Sequence, residues 1–134
     1  MSLDLGSLIY GAVSPDGRSI VCRHKSEEGN TESRVAVFPF SPGNRRPTFF
    51  EIPIIDRVIV RWTVDGRSLT YAASESGAYN LWNRPITGGA PKRLTDISSN
   101  EIWDFAWSPD GKRLAYVLGA DMQNVVLIRH SPAK

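Results

Sequence analysis

His24 and His130 are the two imidazoles of the chain, and each falls at the end of an apolar run with no partner pattern around it. No Gly-x-Ser-x-Gly elbow occurs, so no hydrolase nucleophile is signalled. Cys22-x-His24 is a single short pair without a second one, which fails the spacing of a zinc site. Asp96-Ile97-Ser98-Ser99-Asn100-Glu101 begins like a calcium loop, with oxygen donors at alternate positions. Glu101 then stands where that loop needs glycine, and Trp107 where it needs the closing glutamate. Gly88-Gly89 is a turn with no Lys-Ser/Thr after it, so no phosphate cradle is encoded. Neither a catalytic residue, a metal nor a cofactor is expected.

One constellation recurs. Ser14, Asp16 and Gly17 reappear as Thr63, Asp65 and Gly66, then as Ser108, Asp110 and Gly111, each followed by Arg or Lys. A hydroxyl, a carboxylate and a cation together could do chemistry. A set written three times at one spacing is better explained by turn geometry. Ser or Thr at the first corner can bond the backbone two residues on, Pro15 and Pro109 are pre-set for the second corner, and glycine sits fourth. Val64 takes the second corner in the middle copy.

The elements that carry these turns read as strands. Apolar, β-branched and aromatic residues flank each turn, so each copy is a hairpin. Asp16 and Asp65 are 49 residues apart, and Asp65 and Asp110 are 45 apart. A hairpin repeated at that period is the mark of propeller blades. The fold class is therefore all-β: a propeller segment of about three four-stranded antiparallel blades, an incomplete ring. The blades are placed at 8–52, 57–95 and 102–130, the last without its outer strand. Runs such as Leu114-Ala115-Tyr116-Val117 and Val125-Val126-Leu127-Ile128 are apolar on both faces, as strands of a sheet covered on both sides should be. Pro39 marks the end or a bulge of the third strand.

Composition is that of a globular protein, with 41% hydrophobic and 22% charged residues over 134 positions. A net charge of +2 argues for neither nucleic acid nor a membrane surface, and no apolar run approaches a membrane span. The first residues lack a signal-peptide pattern. The basic pairs Arg45-Arg46, Lys92-Arg93 and Lys112-Arg113 fall in turns or at strand ends of different units, as solvating charges. Cys22, the single cysteine, forms no internal disulfide and reads as a buried thiol.

Phe105-Ala106-Trp107-Ser108-Pro109-Asp110-Gly111-Lys112-Arg113-Leu114-Ala115-Tyr116 resembles the WD-like repeat of TolB-type β-propellers, and Gly88-Gly89-Ala90-Pro91-Lys92-Arg93-Leu94-Thr95 resembles the close of that repeat. The resemblance covers nearly the whole chain. It departs at Arg45-Arg46-Pro47-Thr48-Phe49-Phe50-Glu51, which lacks the basic-Leu-Thr close. Such blades occur in periplasmic TolB, in propellers of prolyl-oligopeptidase and dipeptidyl-peptidase-type enzymes, and beside bacterial kinase or winged-helix signalling domains. Trp62 to Arg129 looks most like the last group. The resemblance implies a periplasmic setting if it extends to biology.

Closed rings need roughly four to eight blades. About three leave apolar faces to cover, so either further blades of a longer chain or self-association is expected, a homodimer giving six. Ser2-Leu3-Asp4-Leu5 is a candidate to complete the last blade beside Asn124 to Ile128. The function this supports is non-enzymatic protein or peptide binding. The alternative is an accessory propeller of a serine peptidase, or the sensory tail of a signalling kinase. Trp62 and Trp107 share one repeat position and read as core. Glu101, Trp103 and Asp104, leading into an innermost strand, are the candidate partner-binding residues.

Overall fold

The computed structural model describes residues 7–25, 33–41, 43, 46–52, 59–75, 77–97, 101–119 and 124–129. Among these, every regular element is a strand. The segment 2–5, the polar loop 27–32 and His130 lie outside the described residues.

The three Asp-Gly turns fold alike. The carbonyls of Ser14, Thr63 and Ser108 accept the N–H of Gly17, Gly66 and Gly111 at 2.9, 2.9 and 2.8 Å. These glycines have φ of +72°, +69° and +72°, the left-handed region that side chains disfavour. The side-chain bonds differ from the sequence expectation. Each first-corner hydroxyl donates to the aspartate carboxylate two residues on, at 2.6, 2.6 and 2.5 Å. It also accepts the N–H five residues on, at 3.0, 3.1 and 2.9 Å. The carboxylate in turn accepts the N–H of Arg18, Arg67 or Lys112 at 2.9 to 3.0 Å. A carboxylate is a stronger acceptor than a peptide carbonyl, so it takes the hydroxyl proton and the ring of bonds closes within the turn.

The chain divides into two compact units, Met1–Arg57 and Val58–Lys134. In the first, β1 (Ser7–Val13), β2 (Ser19–Lys25), β3 (Ser33–Pro39) and β4 (Thr48–Phe50) form one antiparallel sheet in that order. Its core is Val21, Cys22, Val35, Ala36, Val37, Phe50 and Ile52. Burial pushes the Cys22 thiol up to about 11.

The second unit holds two sheets. β5 (Val60–Trp62), β6 (Ser68–Glu75), β7 (Ala78–Pro85) and β8 (Lys92–Arg93) form a four-stranded sheet in chain order. β9 (Ile102–Trp107), β10 (Arg113–Leu118) and β11 (Asn124–Arg129) form a three-stranded sheet with β10 in the middle. Leu81 and Ile97 pack with Phe105, Leu114 and Tyr116 in the core between them, with Ala72, Leu94, Ile102, Trp107 and Leu118 around the margin.

β8 is only two residues long, and side chains finish its work. The Leu94 N–H donates to the Leu81 carbonyl at 2.8 Å, and the Leu81 N–H donates to Thr95 Oγ1 at 3.0 Å. Asn80, almost wholly buried, accepts through Oδ1 from Thr95 Oγ1 at 2.8 Å and from the Ile97 N–H at 2.7 Å. Buried polar groups persist only when paired, and here the pairing fixes where the chain leaves one sheet for the next. This is the physical content of the Arg93-Leu94-Thr95 close.

β9 and β10 alternate. Phe105, Leu114 and Tyr116 are buried in the core, whereas Asp104 and Ala106 are exposed and Ala115 and Val117 half-buried. The apolar outward positions of this sheet therefore form an open face.

Candidate functional site

The residues singled out ahead of β9 are drawn into local bonds. Trp103 Nε1 donates to the Gly119 carbonyl, and the Gly119 N–H donates to the Glu101 carbonyl at 3.2 Å. Both contacts clasp the entry of β9 to the exit of β10. The ladder pairs Asp104 with Val117 and Ile102 with Leu118, leaving Trp103 as the extra residue of a bulge. β1 has the same irregularity, with Ile9 extra between Leu8 and Tyr10. Ile9 and Trp103 each stand seven residues before their turn aspartate, so the first and third hairpins carry the bulge at one place.

Asp104 points to the neighbouring sheet. Its Oδ1 accepts from Arg61 Nη2 at 3.1 Å and from the Phe105 N–H at 2.8 Å, and Arg61 lies over the Phe105 ring at 5.8 Å. Both charged side chains keep substantial solvent contact, 39% for Arg61 and 55% for Asp104, so the pair is a modest strap between β5 and β9. The Glu101 residue is exposed.

In the segment that resembled a calcium loop, Asp96 is exposed with Arg93 at 4.0 Å, and Ile97 is buried; 98–100 lie outside the described residues. Among the described residues no group of three His, Cys, Asp or Glu could hold a metal ion. His24 falls on β2.

A hollow opens elsewhere. Between the second and third turns is a space of about 270 Å³ lined by Thr63, Val64, Asp65, Ser68, Asn83, Trp107, Asp110 and Gly111. Two of its lining side chains are joined through a buried relay of donors. Trp107 Nε1 donates to Thr70 Oγ1 at 2.8 Å, and Thr70 Oγ1 donates to Asn83 Oδ1 at 2.5 Å. Gly111 faces Val64 across one wall, where a Cβ on Gly111 would come into ordinary van der Waals contact with Val64 Cβ at 3.5 Å.

The electrostatics of the hollow follow from the turns. The Thr63 hydroxyl holds the Asp65 carboxyl below its ordinary value, and the Ser108 hydroxyl does the same for Asp110. Both are therefore ionised at neutral pH. Each spends Oδ1 on its own turn, and among the described residues Oδ2 takes no hydrogen bond. Arg67, Lys112 and Arg113 act on these carboxylates from outside, and none of them lines the space. The hollow thus offers acceptors and an aromatic wall to a donor-bearing side chain.

Sequence reading placed Asp65, Asp110 and Trp107 in turns and core, and did not bring them together with Asn83. A signal was present: Thr70 and Asn83 are polar residues inside apolar strands. They stand directly opposite in the β6–β7 register.

No protein-family profile matches the sequence, and no curated protein matches it. Solved structures do. TolB from Acinetobacter baumannii superposes with a TM-score of 0.70 at 21% identity, over 95% of this chain and 30% of that one. The tricorn protease gives 0.63 at 14% identity, over 88% of this chain and 11% of its own. The Kuenenia stuttgartiensis hydrazine synthase gives 0.61 at 19%, over 87% and 38%. All three are β-propeller proteins. The chain has the all-β fold of a β-propeller segment, and it spans about a third or less of the length of the first two structures it resembles. Among the described residues no helix is long and apolar enough to cross a membrane.

Proposed function

We propose that this chain is a non-enzymatic β-propeller module that binds a protein or peptide, seating a lysine or arginine side chain in the hollow between its second and third turns. The observation that carries the reading is the pair of ionised carboxylates, Asp65 and Asp110, lining one space together with Trp107. A cation there meets two acceptors, and the indole supplies an aromatic wall for the aliphatic stem. The Nδ2 of Asn83, whose Oδ1 is engaged by Thr70, is a donor suited to a peptide carbonyl.

The contacts are partly solvated, so each carboxylate is worth roughly a 1.5- to fivefold change in affinity. Calorimetric titration of capped Ala-Arg-Ala and Ala-Leu-Ala peptides tests this. Wild type should bind the arginine peptide more tightly, with affinity falling as salt rises, and Asp65→Asn/Asp110→Asn should erase the difference. Equal affinity for both peptides in wild type would contradict the reading.

A further inference from the structure

Arg67 and Lys112 hold the same place in their turns, two residues after Asp65 and Asp110. Each backbone N–H donates to the Oδ1 of that aspartate, at 3.0 Å in both turns. Each residue is exposed, and neither lines the hollow. Among the described residues neither side chain makes an ion pair, yet each acts electrostatically on the carboxylate beside it. Arg113 also acts on Asp110, but it precedes Leu114, which is buried in the core between the two sheets. Side chains alternate along a strand, so Arg113 belongs to the other face of β10. Two carboxylates thus line the hollow, and two cations free of ion pairs stand beside it.

This arrangement discriminates among basic ligands. A lone cation entering between Asp65 and Asp110 gains two acceptors but is repelled by Arg67 and Lys112. A cation with carboxylates close along its own chain cancels that repulsion and gives each outer cation a partner. In an extended segment the residues two positions before and after an inserted side chain face the same surface as it does. Those are the positions from which carboxylates can reach the turns.

We infer that the partner segment is zwitterionic, with a lysine or arginine in the hollow and carboxylates two residues to either side, met by Arg67 and Lys112. This rests on the hollow being the seat of a basic side chain, and adds the chemistry of what flanks it.

Calorimetric titration with capped Asp-Ala-Arg-Ala-Asp and its neutral analogue Asn-Ala-Arg-Ala-Asn tests the inference. Wild type should prefer the acidic-flanked peptide, by roughly 1.5- to fivefold for each cation met. The preference should shrink as salt rises. Arg67→Gln/Lys112→Gln should bind the neutral analogue more tightly than wild type does and the acidic-flanked peptide more weakly, erasing the preference. Arg113→Gln, on the other face, should keep it. All three positions are exposed and the turn bonds come from the backbone, so far-UV circular dichroism should be unchanged. Equal affinity for both peptides in wild type would overturn the inference. So would a preference that survives in the double variant, or one lost equally in Arg113→Gln. The hollow itself fails separately: Asp65→Asn/Asp110→Asn would then leave binding of the neutral analogue unchanged. Weakened binding in that variant, with no preference for acidic flanks in wild type, would overturn the flanks alone.

Discussion

Trp107 and Thr70, on strands of different sheets, are joined by a 2.8 Å hydrogen bond from the indole N–H to the hydroxyl. The bond does for the sheet interface what the Asp-Gly turn does for each hairpin. It satisfies a polar group at the edge of an apolar contact and so fixes the register of the two partners. Thr70→Val should destabilise the protein by about 1–3 kcal/mol, since the indole N–H keeps its burial and loses its acceptor. Trp107→Phe should also destabilise, through lost area. A double-mutant cycle by denaturant unfolding should show coupling of about 1 kcal/mol between the two. Strict additivity would mean that the bond does not contribute.

The turn carboxylates make stability depend on acid. Hydroxyls from Ser14, Thr63 and Ser108 hold Asp16, Asp65 and Asp110 below the ordinary 3.8, so in the folded protein they stay ionised to lower pH than in the unfolded chain. Their contribution is complete above the unfolded value and is lost as pH falls through the folded one. Thermal unfolding should therefore show a melting temperature that drops between about pH 5 and pH 2. Replacing all three with Asn should lower it at pH 6 and flatten that drop. An unchanged slope would contradict the assignment.

Asn80 is the third test. It is 5% exposed and bonds both Thr95 and the Ile97 backbone. Asn80→Ala leaves those donors unpaired in the interior and should cost about 2–4 kcal/mol, whereas Asn83→Ala, at a half-buried site, should cost less. Amide exchange of Ile97 should accelerate in the first variant. Protection equal to wild type would show that the junction is held by packing alone.

The fold was legible in the sequence because its signals are local. Glycine at a positive-φ corner, proline before it and apolar strands on either side specify a hairpin without reference to anything distant, and three copies at a blade-like period specify the class. The hollow was far less legible. Asp65 and Asp110 are 45 positions apart, and each looks complete within its own turn. Only the packing of one sheet on another reveals that both line one space, with Asn83 supplied by a strand between them in sequence. Trp103 shows the converse. As an unusual aromatic before a strand it stood out, yet the register makes it the bulge residue of its blade, with Ile9 in the same place in the first.

Cation binding in the hollow is tested most directly by the Trp107 indole resonance, followed in a ¹H–¹⁵N spectrum during titration with Ala-Arg-Ala peptide. The indole lines the hollow and its N–H is tied to the buried Thr70 behind it. A saturable shift of that resonance and of the Asp65 and Asp110 amides is expected, lost in Asp65→Asn/Asp110→Asn. A titration that leaves the indole unmoved, or moves it equally in the double variant, would contradict cation binding there.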